Sequence, residues 1–229
     1  MISLDLQLFF VFNGSHSLFL DGLMVTLTSA YVWVPLYLAL LFLVIKNNEN
    51  LSQVMLTVGC AMICIALTAG ITNLLVKPLV ARPRPCMDSE IKYLVDVVNG
   101  MRLSDYSFFS AHAANTFGLT TFFSLLVRNR TFVITLISWS LLNCYTRVYL
   151  GYHYPSDIFC GLLFGALVGA LVYVFYFKLF FLFSKEFNYV STQYTSTGYS
   201  VNNIDVIVCV YVLTLIFAAI RSVVICSHL

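Results

Sequence analysis

Six ionisable side chains in this sequence sit where apolar runs begin or end: Lys77, Arg84, His112, Arg147, His153 and Asp157. Lys77 closes one run, and Arg84 follows it in Lys-Pro-Leu-Val-Ala-Arg-Pro-Arg-Pro. His112 opens the next run, Arg147 ends another, and His153 and Asp157 bracket the turn after it. If each run crosses a membrane, parity puts all six at one face. Convergence of the three cations is costly, because two like charges ~5 Å apart repel by roughly 3 kcal/mol at an effective dielectric of 20. Three such pairs approach the whole stability of a small domain. A bound anion makes the cluster favourable. Phosphate suits it, with two negative charges and acceptor oxygens that match guanidinium forks. Snorkelling at a helix end accounts for a single Lys or Arg. It does not explain why two of the four histidines join Asp157 at the same face.

The elements that carry these groups follow from composition. Hydrophobic residues are 60% of the 229 and charged residues only 10%, against roughly 25% in an ordinary soluble domain. One core of this size cannot hide that much apolar surface, so lipid is the solvent for most of the chain. This excludes a cytosolic enzyme, a disordered tail and a nucleic-acid binder. The net charge of +2 argues for no particular partner. A span needs about 20 mostly apolar residues, which predicts six membrane helices: 24–45, 54–76, 109–127, 132–149, 156–178 and 204–226. The expected fold is an all-α polytopic membrane helix bundle, a single domain over 1–229. Residues 4–12 are too short to cross and read as an interfacial helix, closed by the turn Asn13-Gly14-Ser15. Residues 184–203 read as a linker, and 77–108 is the longest polar stretch.

The N-terminus has no Lys or Arg before Lys46 and does not read as a signal peptide. The seven cysteines show no zinc-type spacing and read as packing, with Cys86 alone in a polar loop. His16 and His228 read as structural or surface residues. Basic residues divide five to six between the two faces. The tight turn Arg128-Asn129-Arg130 and the scarcity of charge in the first 45 residues favour Lys46, Arg128, Arg130, Lys178 and Lys185 on the inside. The N-terminus, the 77–108 loop and the turn near residue 150 are then outside the cytoplasm.

The spacing is specific. Lys77-x6-Arg84-Pro85, Ser110-Ala111-His112 and Arg147-x5-His153-x3-Asp157 occur in that order at span ends on one face. Together they resemble the three-part signature of the type 2 phosphatidic acid phosphatase superfamily, which also includes vanadium haloperoxidases. The signature covers 77–157. The opening LFFVFNGSHSLFLDGLM further resembles small bacterial lipid phosphatases of that family, among them undecaprenyl-diphosphate and lipid A phosphatases. The sequence departs from the signature in three ways. Phe109 and Ala111 replace the usual proline and glycine, and Thr146 replaces a serine. Two spans precede the first element, with the short N-terminal helix, where some members have three. The 204–226 span is added at the C-terminus.

The resemblance implies a metal-independent lipid phosphate phosphatase without cofactors. Lys77, Arg84 and Arg147 would hold the phosphate, with the Ser110 and Ala111 amides at a helix N-terminus. Hydroxyls of Ser110 and Thr146 would assist. His153 would attack phosphorus to form a phosphohistidine, Asp157 would fix its tautomer, and His112 would be the general acid. Asp157 is the one carboxylate expected near the site, too few for a two-metal phosphatase. Asp88, Glu90, Asp96 and Asp105 read as solvated loop charges, as does Arg82. The substrate implied is a membrane lipid phosphate, undecaprenyl diphosphate or a lipid A phosphate, at a bacterial inner membrane with the site facing the periplasm. The alternatives are a phosphotransferase acting on lipid phosphates and an anion or lipid-phosphate transporter. Transporters hold their charges nearer the midplane, on broken helices. A soluble-type peroxidase fits the composition poorly.

Overall fold

The computed structural model describes residues 4–15, 17–183 and 193–227. His16, His228, Lys185 and the first half of the expected 184–203 linker lie outside them. The described chain is helical, and Tyr194 and Ser200 form an isolated bridge before the last helix. The helices are α1 (Leu4–Phe12), α2 (Leu18–Leu27), α3 (Val34–Asn47), α4 (Leu51–Gly70), α5 (Lys77–Val80), α6 (Ala111–Val127), α7 (Arg130–Tyr149), α8 (Pro155–Phe183) and α9 (Val201–Ser227).

The first expected span, 24–45, is not one helix. Chain breaks at Thr28-Ser29 divide it, so α2 ends at Leu27, a 3-10 turn covers Ala30–Trp33, and α3 begins at Val34. Ser17 caps α2 by accepting from the Leu20 amide, and Pro35 sits in the first turn of α3, where its missing N–H costs nothing. The break is sealed from inside. The Trp33 indole, buried, donates to the Leu27 carbonyl at 2.8 Å, satisfying an acceptor the broken ladder left open. Hydropathy alone cannot register this break, because Tyr31, Val32 and Trp33 keep the run apolar.

The second expected span, 54–76, is longer. α4 passes through a π-helical turn (Ile71–Val76) directly into α5, giving a 30-residue apolar stretch, Leu51–Val80. A π turn shifts the register of everything after it, and the residue after this one is Lys77. Ala81 then ends the helix in the left-handed region at φ 49°, which reverses the chain and returns Arg82 and Arg84 to the bundle.

Among the described residues, four stretches are long and apolar enough to cross a membrane: Ala30–Asn47, Leu51–Val80, Pro155–Phe180 and Val201–Val224. The other two expected spans, α6 and α7, are shorter or more polar, and their position explains it. α6 packs against α4, α7 and α8, so its side chains meet protein more than lipid. Hydroxyls there pair across helices: Thr116 with Ser140 at 2.8 Å, and Thr68 donating to Asn115 at 2.7 Å. Such bonds are tolerated in a bundle interior.

The α6–α8 contact is the closest in the molecule's core. Gly161, Gly165 and Gly169, one per turn of α8, face Ser110, Ala114 and Gly118 of α6. A Cβ on Gly165 would lie 2.5 Å from the Ala114 carbonyl oxygen, and one on Gly169 2.4 Å from that of Gly118. Small residues on both helices permit this approach, which brings the start of α6 beside the start of α8. α9 packs on α2 and α3, and its Ser222 hydroxyl donates to the Phe19 carbonyl. The last span thus buttresses α2.

Candidate active site

The ends of α5, α6, α7 and α8 meet at one end of the bundle, under the loop 82–110. Lys77, Arg84, Ser110, Arg147, His153 and Asp157 are all buried. Each is delivered by a local device. Lys77 follows the π turn. Arg84 follows the left-handed Ala81. Arg147 and His153 are brought together by the turn at Gly151, whose φ of +71° demands glycine and whose Cβ would meet Val95 at 2.7 Å. The Arg147 carbonyl accepts from the Tyr152 and His153 amides at 3.0 and 3.3 Å.

The ring of His153 sits between a cation and an anion. Arg84 Nη1 approaches Nε2 at 3.2 Å, and Asp157 Oδ2 lies 3.5 Å from Nδ1. Guanidinium only donates, so Nε2 accepts, and the ring proton belongs on Nδ1, facing the carboxylate. Burial lowers the His153 pKa to about 4, opposed by Asp157 and reinforced by Arg84. The ring is therefore neutral at ordinary pH, with an in-plane lone pair on Nε2. His112 stands in the first turn of α6 and is exposed, unlike the buried residues around His153.

Asp157 is fully buried and fully bonded. Oδ1 accepts from Arg82 at 2.8 Å; Oδ2 accepts from the Tyr154 amide at 2.9 Å and from the Ser107 hydroxyl. Its carbonyl accepts from the Ser110 amide at 3.1 Å. That amide, expected to face phosphate, is thus committed to joining α6 and α8. The Ser110 hydroxyl caps α6 by accepting from Ala113 at 3.4 Å. Of the two amides expected at the anion, Ala111 is the one left in the first turn. The Thr146 hydroxyl donates to the Asn143 carbonyl at 2.7 Å and pairs with Thr28 at 3.1 Å, so it acts in helix packing.

Two residues read as solvated loop charges have specific partners, although the Asp105 side chain stays 56% exposed. Arg82 pairs with Asp157 and with Asp5 of α1, each at 2.8 Å, and lies 3.8 Å over the Tyr154 ring. Asp105 accepts from Lys77 at 3.0 Å and takes a forked pair of bonds from Arg84 at 2.9 and 2.8 Å. Burial opposes its ionisation, but the bonds from Arg84 and Lys77 outweigh that and hold its pKa below the usual carboxylate range. Asp157 is therefore not the lone carboxylate near the site. Asp105 answers the electrostatic requirement that the cations posed, since it is an anion seated between two of them. Asp88 also has a partner, accepting from the Tyr154 hydroxyl at 2.9 Å.

Arg147 differs from its neighbours. Its Nη2 donates to the Thr28 carbonyl at 3.1 Å, while its buried Nε has no acceptor among the described residues. A buried guanidinium donor without an acceptor is expensive, and an anion's oxygen would relieve it. Sequence reading missed Ser107, Thr28 and Asp5, since small hydroxyls and a lone acid far along the chain carry no spacing signal. Cys86 is buried, in one apolar cluster with Phe9, Ile91, Val95 and Tyr154. Among the described residues, no group of three or more His, Cys, Asp or Glu side chains could hold a metal ion.

The chain is 40% identical over 77% of its length to a lipid A 4'-phosphatase of Bacteroides thetaiotaomicron, covering 78% of that protein. It is 29% identical over 74% of its length to an undecaprenyl-diphosphatase of Sulfolobus acidocaldarius, covering 77% of it. The crystal structure of Aquifex aeolicus LpxE shares the fold, with a TM-score of 0.54 at 24% identity over 75% of this chain and 95% of that one. The PAP2 superfamily model matches residues 57–181, a segment that holds all three motifs. On that match and the curated relative at 40% identity, the chain belongs to the PAP2 superfamily of phosphatases.

Proposed function

We propose that this chain hydrolyses the phosphate of a membrane lipid through a phosphohistidine at His153. The observation that carries the reading is the environment of that ring, with Nε2 turned to Arg84 and Nδ1 backed by Asp157. Substrate phosphate enters among Lys77, Arg84 and Arg147, takes the place of the Asp105 carboxylate, and gives Arg147 Nε its missing acceptor. Nε2 then attacks phosphorus. The Nε2–P bond forms as the bond to the leaving oxygen breaks, and His112 delivers a proton to that oxygen. The imidazolium keeps its Nδ1 proton against Asp157, which stabilises the charge as it develops. Water next attacks the phosphohistidine and gives up a proton to His112. The P–Nε2 bond breaks, inorganic phosphate leaves, and the ring returns neutral. Fixed cations around the phosphoryl oxygens supply most of the catalysis.

The lipid A phosphate is the preferred substrate, on the strength of the 40% identity to a lipid A 4'-phosphatase. Undecaprenyl diphosphate is the second reading, favoured by the more distant diphosphatase relative. The enzyme works in a bacterial inner membrane with its site on the periplasmic side. Purified protein assayed for phosphate release from lipid A, undecaprenyl diphosphate and phosphatidic acid tests this. Lipid A is expected to turn over fastest, chelators to leave the rate unchanged, and orthovanadate to inhibit. Release from none of the three, or transfer of phosphate to a second lipid with none freed, contradicts the reading.

A further inference from the structure

The cluster around Arg82 lies behind Asp157, on the side away from the His153 ring, and no step of the mechanism uses it. Arg82 Nη1 donates to Asp157 Oδ1 and to the Ser156 hydroxyl, each at 2.8 Å, and Nη2 donates to Asp5 Oδ2 at 2.8 Å. Asp5 closes the cluster from α1, accepting from the Ser156 amide at 2.9 Å and from the Ser156 hydroxyl at 2.6 Å. The Tyr154 ring stacks 3.8 Å under the guanidinium, and Phe9 of α1 meets that ring at 5.7 Å. Only a planar fork can bridge two carboxylates and stack on a ring at once. Asp157 has no solvent to reorient in, so what holds its far oxygen decides where its near oxygen points.

We propose that Arg82 is a positioning residue that locks Asp157 against His153, and that Asp5 is the counter-charge that keeps Arg82 from draining Asp157 of its negative potential. The inference rests on the reading of His153 as nucleophile only in its kinetic consequence. An isolated Arg82 would neutralise Asp157, weaken the partner of Nδ1–H and leave the ring a poorer base. Asp5 cancels that charge while leaving the bridge in place. α1, which is too short to span the membrane, thereby contributes to the chemistry from the far side of the carboxylate.

The ring also meets Arg84 from the loop and Asp157 from α8, with Lys77 of α5 and His112 of α6 in its electrostatic surroundings, and Asp105 bonded to Lys77 and Arg84 behind them. These stay constant across the variants, so changes at positions 5 and 82 can be read against them. The experiment titrates His153 by NMR in full-length protein carrying ¹⁵N-histidine, and measures kcat and KM for a short-chain phosphatidic acid, in Arg82→Gln, Asp5→Asn, the double variant and Arg82→Lys. Arg82→Gln removes a cation and is expected to raise the His153 pKa by about one unit; Asp5→Asn removes an anion and is expected to lower it by a similar amount. The double variant returns the titration near the wild-type position. Arg82→Lys keeps the charge and so the titration, but loses the two-carboxylate bridge. All variants lacking that bridge are expected to lose kcat about a hundredfold with KM little changed, the usual consequence of misplacing a reacting group.

General unfolding cannot move one titration up and the other down. Shifts of the same sign, or none, in Arg82→Gln and Asp5→Asn overturn the proposal, as does full kcat in Arg82→Lys. If Arg82→Gln does not fold, Asp5→Asn and Arg82→Lys decide it alone. Opposite shifts with unchanged kcat throughout would leave the electrostatic link standing and overturn the positioning role, whereas retained turnover in His153→Ala would remove the nucleophile itself.

Discussion

The state of each ionisable side chain decides what it does. His153 is held neutral by burial, with a pKa near 4 where an exposed imidazole has 6.5. Lowering the folded-state value below the unfolded one means that the neutral ring, the form that attacks in the proposed mechanism, persists as pH falls and is lost only through about 4. The acidic limb of kcat/KM, which reports the free enzyme, is therefore expected well below pH 6, and a limb at 6.5 would show an unburied ring. The same shift makes folding stability full above pH 6.5 and reduces it as pH falls toward 4, because the unfolded chain takes up the proton first. Asp105 stays ionised throughout, so in the proposed mechanism it would compete with phosphate at every working pH. Asp105→Asn keeps the shape, removes the competing charge, and is expected to strengthen orthovanadate inhibition several-fold. Weaker inhibition would mean that the carboxylate organises Lys77 and Arg84 more than it competes for them. The three motifs were legible from residue type and order. Arg82 and Asp105 were not, because a charge in a polar loop carries the same local signal whether it is solvated or paired. Only the fold brings Asp5 and Asp157 to one guanidinium.

At the scale of elements, α6 and α8 hold the chemistry in register. Gly165 lies at the centre of their contact, where an added Cβ would press within 2.5 Å of a carbonyl oxygen. Gly165→Val forces the helices apart at a cost of about 1–3 kcal/mol. It is expected to lower the melting temperature by several degrees and to reduce kcat far more than its distance from His153 suggests. Thermal unfolding and turnover measured together check this, and a variant with normal turnover would show that the seam does not set the site. Hydropathy placed α4, α8 and α9 to within a few residues, since long apolar runs in lipid have one solution. It failed at α2 and α3, because apolar Tyr31, Val32 and Trp33 fill the break, and Thr28-Ser29 with Pro35 are weak punctuation inside an apolar run. It also gave no warning of the π turn, which depends on side-chain packing and leaves composition unchanged.

The whole molecule is a helix bundle with one chemically armed end. Lys77, His112, Arg147 and Asp157 reach that end because α4 with α5, α6, α7 and α8 alternate in direction. In the proposed orientation, with the Arg128–Arg130 turn inside, the armed end would face outward. A cysteine placed at Tyr93, which is 85% exposed in the loop over the site, is expected to react with an impermeant maleimide in intact cells. One placed at exposed Arg130 is expected to react only after permeabilisation. The reverse pattern would put the site in the cytoplasm. The most direct test of the central claim is to trap the phosphoenzyme. Purified protein is mixed with a ³²P-labelled lipid phosphate, quenched in alkali within the first turnover, and digested for peptide mapping. The expected result is acid-labile, alkali-stable label on the peptide holding His153, absent from His153→Ala. Turnover without any label on that peptide, or label that survives His153→Ala, contradicts the account.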